Sequence, residues 1–226
     1  MDVNNIKALV FDVFGTVVDW RTSIALEAKQ CLSKKGYELD WVLFADSWRA
    51  KYQPAMEKVR TGGRGFVRLD ILHMENLIEV LKDFDIKSVT ETELNYLNRA
   101  WHRLLPWPDS VPGLLRLKKK FIIGTMSNGN VALMVNMAKN GGLPWDVILG
   151  AEPAQAYKPE PKTYLTGVDW LNLKPSEVLM CAAHNADLVA AGAQGLKTAF
   201  IARPTEYGPN QKHDFEAEHD FDYISE

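Results

Sequence analysis

Apolar and polar positions follow two different periods along the chain. The first apolar run, Ile6-Lys7-Ala8-Leu9-Val10-Phe11, ends abruptly on Asp12, with Gly15 close behind. A short run closed this way predicts a buried strand followed by a loop. From about residue 20 to 105 the period is helical. A tract from Thr22 to Lys35 meets Gly36, suited to the left-handed conformation that ends helices. Asp40 is placed to cap a second helix, where Trp41, Phe44, Trp48 and Tyr52 recur at helical spacing up to Pro54. After the loop Thr61-Gly62-Gly63-Arg64-Gly65, a third helix is predicted from Phe66 to Lys82. Thr90 with Glu93 then forms a capping box ahead of Leu94, Leu97 and Trp101.

The pattern changes after Pro106-Trp107-Pro108-Asp109. Pro112 opens a short basic helix. Strand-like runs at Phe121–Met126, Val147–Leu149, Val178–Cys181 and Thr198–Ile201 then alternate with helical stretches at Asn130–Lys139, Pro161–Leu171 and one ending near Gln194. This alternation predicts an α/β fold, a Rossmann-like parallel sheet covered on both faces. A strand cannot stand alone, so the first run joins that sheet and the helical block is inserted after it. The predicted division is a Rossmann-like catalytic core of residues 1–19 and 106–226 and a helical cap domain of residues 20–105.

Composition narrows the class without naming a chemistry. Of 226 residues, 46% are hydrophobic and 24% charged, which excludes global disorder and allows a full core without disulfides or metals. No apolar run approaches the roughly 20 residues that span a bilayer. Met1 to Asn5 lacks the pattern of a secretory leader, and Cys31 and Cys181 make no disulfide framework, so a cytoplasmic setting is expected. The net charge is −3, but six acids and no Lys or Arg lie in Asp214–Glu226, leaving 26 basic against 23 acidic residues before them. This mild excess predicts no nucleic-acid or membrane partner and is compatible with a small anionic substrate.

Ligands of open α/β sheets bind beyond the carboxyl ends of the strands. Four polar clusters fall there: Asp12 with Thr16 and Asp19, Thr125-Met126-Ser127-Asn128-Gly129, Ala156-Tyr157-Lys158-Pro159, and Ala183-His184-Asn185-Ala186-Asp187. Each has an ordinary explanation alone. Asp12 suits a turn, Ser127-Asn128-Gly129 a helix start, Lys158 a surface, and Asp187 the first turn of a helix. Their order and common sheet edge point to one site instead.

With these motifs the sequence resembles the haloacid dehalogenase superfamily over nearly its whole length. Phe11-Asp12-Val13-Phe14-Gly15-Thr16 is similar to its nucleophile motif, Ser127-Asn128-Gly129 to its second, Lys158-Pro159 to its third, and His184 to Asp187 to its fourth. Magnesium phosphatases of the superfamily carry Asp-x-Asp, where the second aspartate is the general acid. Here Phe14 takes that place, and Ala183 falls where the fourth motif supplies another carboxylate. Both losses argue against a phosphatase, because phosphoryl transfer leans on a metal held by hard oxygen ligands.

The branch lacking these acids is the L-2-haloacid dehalogenases, and the sequence resembles them. The resemblance implies a metal-independent hydrolase with no cofactor, in which Asp12 displaces halide from a small 2-haloacid and water hydrolyses the resulting ester. It implies further roles. Lys158 holds Asp12 as an anion, with Thr16 among the catalytic residues. Ser127 and the N–H groups near Val13 and Phe14 bind the substrate carboxylate. Arg49, beside Trp48, receives the released halide with Asn128. Tyr164 and Asn185 join the binding site, and Asp187 positions or deprotonates water. It also suggests a homodimer. Taken alone, Arg49 suits a solvated helix face and Tyr164 a core. Trp41, Trp48, Tyr52 and Phe66 suit either core or pocket wall.

Two positions depart from the branch. His184 stands where asparagine is common and Ala182 where serine is common. His184 is either a buried polar replacement or a donor to halide or water, with Asp187 expected to favour its protonated ring. His73, His102, His213 and His219 are expected at the surface or in the cap. Two competing readings are a residual phosphatase and a non-catalytic binding protein. The retained Asp12, Lys158 and Asp187 weigh against the second.

Overall fold

The computed structural model describes residues 5–225; the leader reading at Met1 to Asn4 lies outside them. The chain forms β1 (Ala8–Phe11), β2 (Val18–Asp19), α1 (Trp20–Leu32), α2 (Trp41–Ala50), α3 (Tyr52–Thr61), α4 (Leu69–Asp83), α5 (Glu91–Asn98) and β3 (Leu105–Pro106). It continues with α6 (Ser110–Leu117), β4 (Ile122–Ser127), α7 (Val131–Gly141), β5 (Val147–Gly150), α8 (Ala151–Ala154), α9 (Pro161–Trp170), β6 (Val178–Ala182), α10 (Asn185–Gly192), β7 (Lys197–Ile201) and β8 (Tyr223–Ser225).

Six strands form one sheet in the order β5-β4-β1-β6-β7-β8, and every neighbouring pair is parallel. The first strand of the sequence is therefore central. Phe11 is in register with Thr125 of β4 on one side and Cys181 of β6 on the other, so the residues after all three share one edge. The apolar runs are buried because helices cover both faces. The short antiparallel pair of β2 with β3 closes the base of the helical block, where the sequence had suggested no strand.

The caps do what their side chains predict. Asp40 accepts from the N–H groups of Val42 and Leu43, and Thr90 and Glu93 form a reciprocal box. Gly36 ends the first helical tract at φ +85°. Asp19, grouped by sequence with Asp12, instead caps α1 by accepting from Thr22 N–H. Pro54 does not end a helix. The chain breaks at Lys51 and restarts, and Pro54 occupies the first turn of α3, where a missing N–H costs little. The helix predicted from Phe66 begins at Leu69. His73 and His102 lie in the helical block, one of the two settings expected for them, and are buried at 1% and 5% exposure, while His213 and His219 are exposed.

One cluster of buried side chains runs from the sheet into the helical block, joining Leu9 and Phe11 to Phe14, Trp20, Trp48, Leu69 and Trp101. Polar clamps accompany it. Asp70 of α4 bonds Asn130 in both directions and takes His102 at 2.9 Å, while Glu152 receives Arg68 and caps Val131 N–H. Among the described residues, no helix is long and apolar enough to cross a membrane.

Candidate active site

Beyond the central strand ends, under the helical block, lies a cavity of about 440 Å³ lined by Asp12, Phe14, Arg49, Asn128, Lys158, Tyr164, His184 and Asp187, among others. Asp12 follows β1 directly and is nearly buried, at 6% exposure. Its Oδ1 receives Lys158 Nζ at 2.8 Å. Its Oδ2 receives the Thr16 hydroxyl at 2.8 Å and lies 3.1 Å from His184 Nδ1. Burial alone would push this carboxyl up. Lys158 and His184 outweigh it and hold Asp12 far below the usual carboxylate range.

Lys158 also bonds Asp187 Oδ2, and the Tyr164 hydroxyl donates to Asp187 Oδ1 at 2.6 Å. Burial works against the ammonium, but the two carboxylates raise Lys158 above its ordinary value. Burial and the nearby Asp12 charge push Asp187 up, against the pull of Lys158. Asn128 locks the lysine backbone, its side-chain oxygen accepting Lys158 N–H at 2.7 Å.

The expected partner of His184 is replaced by another. Asp187 is engaged with Lys158 and Tyr164, whereas His184 Nε2 meets Glu206 at 3.0 and 3.2 Å. Burial disfavours the charged ring, yet Glu206 and Asp12 raise His184 well above an ordinary histidine. Glu206 carried no signal in the sequence beyond one acid in a loop.

Arg49 projects from α2 over aromatic faces, 4.1 Å from the Tyr52 ring centre, 5.4 Å from Trp20 and 5.8 Å from Phe14. Its Nη1 is buried with no protein partner among the described residues. Trp48 is core, donating to the His73 carbonyl at 3.0 Å; Tyr52 lines the cavity. Trp41 and Phe66 are half-buried against the core.

The N–H groups of Val13 and Phe14 are engaged in none of the hydrogen bonds among the described residues. Ser127 is fully buried behind the cavity wall, its oxygen accepting Gly129 N–H at 3.1 Å. Asn185 is not brought to the cavity. Its amide bonds Asp214, the Glu216 carbonyl and Glu218 N–H, fastening the acidic C-terminal segment.

The site does not fit magnesium. That ion wants several hard oxygen ligands in octahedral order. Phe14 is apolar, Ala183 offers only backbone and gives its N–H to Thr16, and both Asp12 oxygens face cations or donors. No three His, Cys, Asp or Glu among the described residues converge as a metal site.

Comparison with known proteins identifies the family. Residues 6–192 match the family model of haloacid dehalogenase-like hydrolases. The chain is 31% identical over 208 residues to (S)-2-haloacid dehalogenase 1 of Pseudomonas sp. strain CBS-3, covering 89% of this chain and 88% of that protein. It is 27% identical over 226 residues to (S)-2-haloacid dehalogenase 4A of Burkholderia cepacia, covering 91% and 88%. The crystal structure of a defluorinating L-2-haloacid dehalogenase superposes with a TM-score of 0.95 at 51% identity, over 97% of this chain and 91% of that one. The strand order, the Asp12–Lys158 pair at the sheet edge and these matches together establish that the chain belongs to the haloacid dehalogenase-like hydrolases.

Proposed function

We propose that this protein hydrolyses the carbon–halogen bond of small L-2-haloacids and haloacetates, fluoroacetate included, to 2-hydroxy acids, without a metal. One observation carries the reading. A buried Asp12 is held as an anion by Lys158 at 2.8 Å, and the position two residues on is Phe14 rather than a general acid. Such a carboxylate is a nucleophile suited to carbon and ill equipped for phosphorus.

Oδ1 of Asp12 carries one donor and Oδ2 carries two, so Oδ1 attacks C2 and the halide leaves with the bonding electrons. Arg49 meets the halide with a planar, permanently charged fork. The N–H groups of Val13 and Phe14, engaged by no protein acceptor among the described residues, hold the substrate carboxylate, while Ser127 braces the wall behind by accepting Gly129 N–H. Water then attacks Cγ of the ester, with Asp187 as its base, and the ester oxygen departs in the product. Only the first step inverts C2, so an L-substrate yields a D-product. The helical block acts as the cap over this cavity. The same reading carries a homodimer and a cytoplasmic setting, in keeping with two unpaired cysteines.

The test is halide release from fluoro-, chloro- and bromoacetate and from both enantiomers of 2-chloropropionate, with EDTA present throughout. Release from the L-enantiomer at an undiminished rate is expected. Activity lost to EDTA and restored by magnesium would overturn it in favour of a phosphatase-like site. In a single turnover in heavy-oxygen water, label should enter Asp12 and not the product.

A further inference from the structure

Glu206 lies in the segment after β7 and is buried, at 1% exposure. A carboxylate so placed must be paired and hydrogen-bonded to be tolerated. Its seat is built from three directions. The Trp20 indole donates to Oε1 at 2.9 Å. His184 Nε2 faces both oxygens. The nucleophile loop passes so close that a Cβ at Gly15, which holds φ +87°, would collide with the carboxylate. Arg203 fastens the segment by donating to the Thr16 carbonyl at 2.9 Å and forking onto Asp109.

His184 thus sits between two carboxylates, Asp12 on Nδ1 and Glu206 on Nε2. A neutral imidazole has one N–H and cannot donate to both, whereas the protonated ring can. The other groups sharing its surroundings are Arg49 from α2, Tyr207 and Asp214 from the C-terminal segment, and Lys158 and Asp187 across the cavity. The two directly bonded anions dominate them. Alkylation of Asp12, on the reading above, turns one of these anions into a neutral ester. Glu206 is untouched by that step.

Resting on that reading, we propose that Glu206 is a positioning residue that keeps His184 protonated through the ester intermediate, so that a cationic N–H stays on Asp12 Oδ2 while the ester is hydrolysed. Water oxygen bonds to Cγ, and the carbonyl electron pair moves onto Oδ2, where His184 Nδ1–H and the Thr16 hydroxyl receive it. Collapse re-forms the carbonyl and breaks the bond from Cγ to Oδ1, which leaves on C2 as the product hydroxyl. One water proton ends on that hydroxyl. The other leaves through Asp187 to solvent, restoring Asp12 as an anion. His184 keeps its proton throughout.

Glu206→Gln retains an acceptor for Trp20 and removes only the charge. With L-2-chloropropionate, the variant should keep its first-turnover halide burst yet accumulate alkylated Asp12, visible by mass spectrometry after acid quench. The alkaline limb of its rate profile should move down by on the order of one pH unit or more, because the ring loses its proton sooner. Adding Glu206→Gln to His184→Asn should cost nothing further. Nuclear magnetic resonance titration gives a readout free of turnover. In Asp12→Asn, which mimics the uncharged ester, His184 should still titrate above an ordinary histidine, and an ordinary value there overturns the proposal. A wild-type protein that releases no halide overturns the dehalogenase reading and this inference with it. An active wild type whose Glu206→Gln variant hydrolyses the ester at the same rate and pH overturns the inference alone. Should Glu206→Gln fail to fold, the Asp12→Asn titration still decides.

Discussion

The sheet side of the cavity and the helical block over it differ in how their buried polar groups are satisfied. On the sheet side, Asp12, Thr16, Lys158, Tyr164, His184, Asp187 and Glu206 form one connected set of hydrogen bonds and ion pairs. On the helical side, buried polar atoms stand without protein partners among the described residues: Arg49 Nη1, both ring nitrogens of His73, Asn76 Nδ2, Asn98 Oδ1 and Trp101 Nε1. Three of these residues sit among aromatic rings: His73 stacks on Trp101 at 4.3 Å with Phe14 against both, and Arg49 lies over Tyr52 and Trp20. The sheet side is preorganised, its charges fixed before any substrate arrives, as electrostatic catalysis requires. On the helical side Arg49 lines the cavity with an Nη1 that no protein group among the described residues engages, which is donor capacity suited to the halide role proposed for it.

The largest effect that would break this contrast is loss of Asp12, the proposed nucleophile. Asp12→Ala should lower halide release by roughly 10⁴-fold or more, the order seen when a nucleophile is removed. Activity retained at a tenth of wild type would move the chemistry elsewhere.

Lys158→Met is expected to follow. It leaves a buried carboxylate without its main counter-ion, which costs about 3–5 kcal/mol of stability. It also exposes the opposing tendency at Asp12, where burial alone raises the carboxyl. The reactive form is the anion, so the acid limb of the rate profile should climb into the accessible range and activity recover as pH rises. A variant with a fixed acid limb would show that Lys158 does not set the charge state of Asp12.

Arg49→Lys probes the other wall. A lysine ammonium cannot reproduce the planar fork among Phe14, Trp20 and Tyr52, and a loss of about 2.7–4 kcal/mol of transition-state stabilisation is expected in halide release. A full rate would show that the unpaired Nη1 serves packing alone.

The smallest effect is expected at His73. Burial holds it neutral, with a pKa lowered from 6.5 to about 3. The unfolded chain takes up a proton below pH 6.5 while the folded one does not, so folding stability falls as pH drops through that window. His73→Phe removes two unpartnered nitrogens and that titration together. It should leave stability near pH 7 within about 1 kcal/mol of wild type. Thermal unfolding between pH 6.5 and 3 should show a flatter acid decline, by up to about 1.4 kcal/mol per unit. An unchanged slope would place His73 in contact with water.

What the sequence determined by itself was local or periodic. Short apolar runs fixed five of the six sheet strands, and Asp40, Thr90 with Glu93, and Gly36 marked helix ends within a residue or two. The order of Asp12, Ser127, Lys158 and Asp187 at strand ends pointed to one edge, because a parallel sheet brings such ends together whatever lies between them. The strand Tyr223–Ser225 escaped notice because three residues in an acidic tail carry no period. Tertiary structure alone decided who pairs with whom. His184 is bound to Glu206 rather than to Asp187, its neighbour on α10, because the helix turns the aspartate toward Lys158 and Tyr164. Asn185 lies one position from His184 yet faces the C-terminal segment instead of the cavity. Glu206 reaches Trp20 across 186 positions of sequence. Burial and partnership at that range depend on how the segment after β7 folds back over the loop that follows β1, and no spacing along the chain encodes that return.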